Sequence, residues 1–140
     1  MREILFRGKL KDNGEWVYGN LFIPDNHDKP VEILIGTNAV RISYEVIPET
    51  VGQYTGLTDK NGKKIFEGDI VEGHCHSQWN HRLQRCAIVY DRDSFKSRHY
   101  LNYLNEEHYF EYKVLFSKDV VVIGNIHDNP KLLERSNGND

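Results

Sequence analysis

Apolar and polar residues alternate with a period of two along most of the chain, the pattern of strands buried on one face. Ile4, Phe6, Gly8 and Leu10 fall on one side of the first run, while Arg7, Lys9 and Lys11 take the other. Asp12-Asn13-Gly14 ends that run, and an Asn-Gly pair accepts the positive φ angles of a tight hairpin turn. Residues 15–23 read as the return strand, with Gly19 expected to be a bulge because the alternation of Trp16 and Tyr18 breaks there. A polar loop over 24–30 leads into strands over 31–35 and 40–47. The second of these alternates Val40, Ile42, Tyr44 and Val46 against Arg41, Ser43 and Glu45.

The next segment, residues 51–71, is punctuated by Gly52, Gly56, Gly62 and Gly68, with Ile65-Phe66 and Ile70-Val71 between turns. A strand is expected from Asp69, then a polar loop or hairpin tip over 74–83, a strand over 85–90 and a turn region over 91–97. Residues 100–109 fit a helical turn as well as a strand. Phe110, Tyr112, Val114 and Phe116 alternate cleanly, and the apolar run over 120–126 predicts a strand buried on both faces. Asp128 or Asn129 can cap a short helix with Pro130 at its first position and residues 131–135 behind it.

The fold class expected is all-β: mainly antiparallel strands in a small, partly open barrel or sandwich, an SH3-like barrel among the forms that fit, with a short C-terminal helix. The organisation expected is an N-terminal β-layer over 1–50, a barrel-like part with the terminal helix over 51–135, and a disordered tail over 136–140. At 140 residues the chain can bury a sizeable core, and 39% hydrophobic with 28% charged residues is ordinary for a globular protein. No apolar run approaches 18 residues and the N-terminus lacks a signal-peptide pattern, so a cytoplasmic location away from membranes is expected. A net charge of −3 argues against indiscriminate attraction to phosphate, though not against a local basic face. Cys75 and Cys86 are too few for a disulfide scaffold.

Three blocks carry a resemblance. They are Arg2-Glu3-Ile4-x-Phe6-Arg7-Gly8 with Gly14-Glu15-Trp16-Val17-Tyr18-Gly19, the segment over 51–71, and Val122-Ile123-Gly124-Asn125-Ile126-His127-Asp128-Asn129-Pro130. Together they resemble the YopX-like family of phage and prophage proteins. The resemblance implies an all-β fold, a phage accessory role and self-association, and it supplies no catalytic residues. Its matching positions are mostly Gly, Pro, Asn and aromatic residues, types that shape turns and cores.

Candidate chemistry is sparse. His74, His76, His81 and Cys86 are ligand types that Zn²⁺ takes, but no C-x-x-C or H-x₃-H spacing is present, and a polar hairpin tip with solvated histidines is the leading reading. Trp79, Arg82, Arg85, Arg92, Lys96 and Arg98 mix positive charge with aromatic rings, as single-stranded nucleic-acid surfaces do, although Asp91, Asp93, Glu106 and Glu107 dilute them. Gly62-Lys63-Lys64 lacks the Ser or Thr of a phosphate loop, and Asp69 after a glycine suits a turn better than an activated water. No catalytic residue and no cofactor is assigned beyond the weak zinc option. The function expected is therefore non-enzymatic: a homo-oligomeric interaction module whose partners are itself and a phage or host protein, with a nucleic-acid-binding module as the alternative and a zinc-binding protein built on the His74–Cys86 cluster as the second.

Overall fold

The computed structural model consists of antiparallel strands in two sheets. It describes residues 3–36, 40–74, 83–91, 94–101, 108–113 and 120–133, with backbone alone at 74, 83–84, 91, 96–101 and 108–113. The chain divides into two compact units, residues 1–56 and 57–140. The all-β class predicted from the period-two pattern is the class observed.

In the first unit, β1 (Phe6–Lys9), β2 (Trp16–Phe22), β3 (Glu32–Gly36) and β4 (Arg41–Glu45) precede a 3₁₀ turn (Pro48–Thr50) and β5 (Gly52–Thr58). Their order in the sheet is β4-β3-β2-β1-β5. The Asn-Gly turn forms as the sequence predicts. Gly14 has a φ of 74°, the Leu10 N–H donates to the Glu15 carbonyl at 2.8 Å, and Asn13 Oδ1 accepts the Glu15 N–H at 2.9 Å. That turn sets the register Lys9↔Trp16 and Arg7↔Tyr18.

Gly19 is not a bulge. It pairs in regular register with Phe6, and a Cβ there would stand 2.3 Å from the Leu34 carbonyl oxygen. The glycine interrupts the apolar alternation because β3 passes too close for any side chain.

The sheet of the first unit also curls back on itself. Leu10 bridges Val46, the Ile47 N–H donates to the Lys9 carbonyl at 2.9 Å, and the Lys11 N–H donates to the Glu45 carbonyl at 3.2 Å. Gly8 permits this closure, since a Cβ there would meet Val46 at 3.0 Å. Thr50 reinforces it, its hydroxyl accepting the Lys9 N–H at 2.9 Å and donating to the Ile47 carbonyl at 2.6 Å. Ile33 and Val46 are fully buried inside.

The second unit contains the end of β5, β6 (Lys64–Phe66), β7 (Asp69–His74), β8 (Leu83–Asp91), β9 (Ser94–Leu101), β10 (His108–Lys113), β11 (Val121–Asn125) and a 3₁₀ turn at Pro130–Leu133. Its five-stranded sheet runs β10-β9-β8-β7-β11. Ile65, Val71, Cys86, Ile88 and Val120 form one buried cluster with Leu57 and Val122 packed against it. Ile70 and Ala87, of opposite parity, are equally buried, so β7 and β8 are covered on both faces.

Four expectations change here. Asp91 pairs with Ser94, so strand replaces most of the expected turn region over 91–97. Tyr100 and Tyr109 occupy paired register positions in a β-ladder, and the helical option for residues 100–101 and 108–109 falls. β11 is half-buried rather than buried on both faces, and its pairing with β7 shifts register between Val122 and Gly124. The terminal helix is a single 3₁₀ turn within the described residues. Asn129 does not cap it forward. Its side chain turns back to accept the Asn125 N–H at 3.3 Å, while its backbone N–H donates to the Asn125 carbonyl at 2.8 Å. The expected tail over 136–140 lies outside the described residues.

Candidate binding surfaces

The glycine-rich segment is held by two buried carboxylates. Asp59 Oδ1 accepts the N–H groups of Asn61 (2.8 Å) and Lys63 (2.9 Å), and Oδ2 accepts the N–H of Val122 at 3.0 Å. Burial pushes the Asp59 pKa upward, but the hydrogen bonds from Val122, Lys63 and Asn61, with the Lys63 charge, outweigh it and hold the carboxyl below its ordinary value. Asp69, also buried, accepts the Phe66 N–H at 2.7 Å, the turn role its position after Gly68 predicts. Gly62 and Gly68 sit at φ of 82° and 92° in the turns these carboxylates organise. Both acids serve backbone here.

Two of the residues proposed for metal, Cys86 and the backbone of His74, lie among the described residues. Cys86 is a buried thiol among Ile65, Val71, Ile88 and Val120, paired in register with Val71. His74 lies at the end of β7 opposite Leu83, three ladder positions from Val71, a span of ~10 Å at strand rise. His76 and His81 lie outside the described residues, as do Trp79, Arg82 and Arg92 of the proposed nucleic-acid set.

Of that set Arg85 is described best. Its Nε donates to Glu72 Oε2 at 2.8 Å and its guanidinium also reaches the Leu132 carbonyl at 3.4 Å, so much of its charge is compensated locally. Lys96 and Arg98 occupy register positions opposite Val89 and Ala87 on β9. Nearby, the rings of Tyr90 and Phe95 meet edge to face with centroids 5.0 Å apart.

Two surfaces of the first unit escaped the sequence reading. On β2, Tyr18, Asn20 and Phe22 occupy alternate, exposed positions, although the period places Tyr18 in the core. The register puts Arg7 and Lys9 of β1 on the same face, and both cations lie over the Trp16 ring, Arg7 at 4.6 Å and Lys9 at 5.9 Å from its centroid. The second surface is aliphatic. Ile35 and Ile42 pair across β3 and β4 on the same face as the fully buried Ile33, yet they are 39% and 52% exposed, with Val40 at 68% beside them.

No curated protein matches the chain. Among solved structures it is similar to protein EF1440 from Enterococcus faecalis, known from a crystal structure, with 25% identity, a TM-score of 0.55, and coverage of 96% of this chain and 100% of that one. The family model described as YopX protein matches residues 5–134, which takes in the second and third blocks and all of the first except Arg2, Glu3 and Ile4. This chain belongs to the YopX family.

Proposed function

We propose that this chain is a phage-type accessory protein that works without catalysis, in the cytoplasm, by assembling with copies of itself and presenting the assembly to a phage or host protein. The observation that carries this reading is the aliphatic strip Val40, Ile42 and Ile35, which continues the core face of the β3–β4 hairpin into solvent. β4 is the outer strand of its sheet, so the strip ends at an edge that a second copy can extend. Among the described residues no helix is long and apolar enough to cross a membrane.

Native mass spectrometry of the untagged protein tests the reading. The wild type is expected at an integer multiple of the protomer mass, and Ile42→Lys is expected as the single protomer. Because Ile42 is already half exposed, the variant should unfold within about 0.5 kcal/mol of the wild type. A wild type that stays monomeric at tens of micromolar, about the concentration where weak interfaces assemble, removes the proposal.

A further inference from the structure

We infer that the outer face of β1 and β2 is a binding site for a short stretch of single-stranded nucleic acid. Three observations on one face lead there. Tyr18 and Phe22 are 45% and 46% exposed, though aromatic rings of that size gain by burial. Asn20 stands exposed between them, so the strand presents ring, amide and ring at alternate positions about 7 Å apart. Arg7 and Lys9 supply positive charge at one end of this row, where Trp16 holds them.

The chemistry fits one class of partner. Every nucleobase has a π face that stacks on Tyr or Phe, and an amide can both donate to and accept from a base edge. Phosphates need cations, and Lys9 provides one on the same face, with the buried Arg7 adding positive potential behind it. At the other end Glu32 pairs opposite Phe22. That carboxylate repels phosphate, whereas Glu45 beyond it is ion-paired with Lys11 at 3.0 Å, so the nucleic-acid backbone lies toward Lys9 and a base lies over Phe22. A neutral sugar chain would use the rings and leave the cations idle. Duplex DNA hides the base faces that the rings require. The site is small, and it holds few nucleotides through few phosphates.

The test is fluorescence anisotropy with labelled dT and rU dodecamers at low salt, on the full chain. The wild type is expected to bind, and Tyr18→Ala with Phe22→Ala together to weaken binding by about a hundredfold, about tenfold per ring. Lys9→Gln is expected to make the log–log salt dependence shallower by about 0.7, one phosphate on a single strand. Tyr90→Ala, an exposed ring of the second unit, is expected to bind like the wild type. All substitutions fall on exposed or half-buried side chains, and circular dichroism checks that each variant is folded. Absence of any binding at low salt overturns the inference, as does undiminished binding by the double variant. A double variant that loses self-association while no oligonucleotide binds the wild type also overturns it, and assigns the face to a second copy. Ile42→Lys separates the two proposals, because it should abolish assembly and still bind oligonucleotide.

Discussion

Asp59→Asn is expected to lower the unfolding free energy by about 3 kcal/mol at pH 7, the largest loss for any single carboxyl in the glycine-rich segment. The residue is 5% exposed and accepts three backbone N–H groups, so an amide whose oxygen keeps the Asn61 and Lys63 N–H groups turns its NH₂ toward the Val122 N–H and leaves that buried donor unsatisfied, besides removing the charge. The effect carries a pH signature. The folded carboxyl titrates below its ordinary value, so the unfolded chain binds more protons than the native one as pH falls through about 4. The stabilisation is therefore complete above the unfolded pKa and lost as pH drops through the folded one. Urea midpoints of wild type and variant should differ widely at pH 7 and converge toward pH 2. An equal gap at both ends of that range would mean that the charge of Asp59 contributes nothing.

The second large effect is expected from Gly19→Ala. Its new methyl would sit 2.3 Å from the Leu34 carbonyl oxygen and 3.1 Å from Ile33 Cγ2, and the first of these neighbours is backbone in a paired strand. Separating β2 from β3 to make room should cost about 3 kcal/mol. Gly8→Ala offers a scale for comparison. Its nearest neighbours are atoms of the Val46 side chain, at 3.0–3.1 Å, and it should cost about 1 kcal/mol. Thermal unfolding of the two variants side by side decides the matter: if Gly19→Ala melts with the wild type, β2 and β3 do not approach as closely as described.

These two residues also illustrate what a sequence can disclose. The period-two alternation and the Asn-Gly turn suffice for β1 and β2, because both signals are local. At Gly19 the same local signal suggests a bulge, because the reason for a glycine there lies in Leu34, on the next strand. For Asp59 two partners, Asn61 and Lys63, are local and belong to a turn that the sequence marks, whereas the third, Val122, is 63 residues away and only the fold brings it there.

Tyr18 is a different case. Alternation within β2 assigns it to the core, but the turn aligns it with Arg7 and aligns Trp16 with Lys9, so both aromatics belong to the basic side of the hairpin. That information was present in the spacing of Lys9, Gly14 and Trp16, and needed only the register to be counted through the turn. The aliphatic strip was less accessible. Ile35, Ile42 and Val40 have the same pattern as buried strand residues, and only the finished packing shows where the cover of the core ends.

The return of β1 onto the end of β4 sets an order of opening for the first unit. The β1–β2 and β3–β4 pairings join neighbours in sequence, whereas the Leu10–Val46 bridge closes a much longer loop. Such a joint forms after the hairpins and parts before them. In hydrogen-exchange terms, the amides of Lys11 and Ile47, which bond across the joint, should trade their protons through a partial opening. That opening would leave the β1–β2 ladder protected. The ring of strands thus behaves as a clasp, and the edge of β4 is longest in the moments when the clasp is undone.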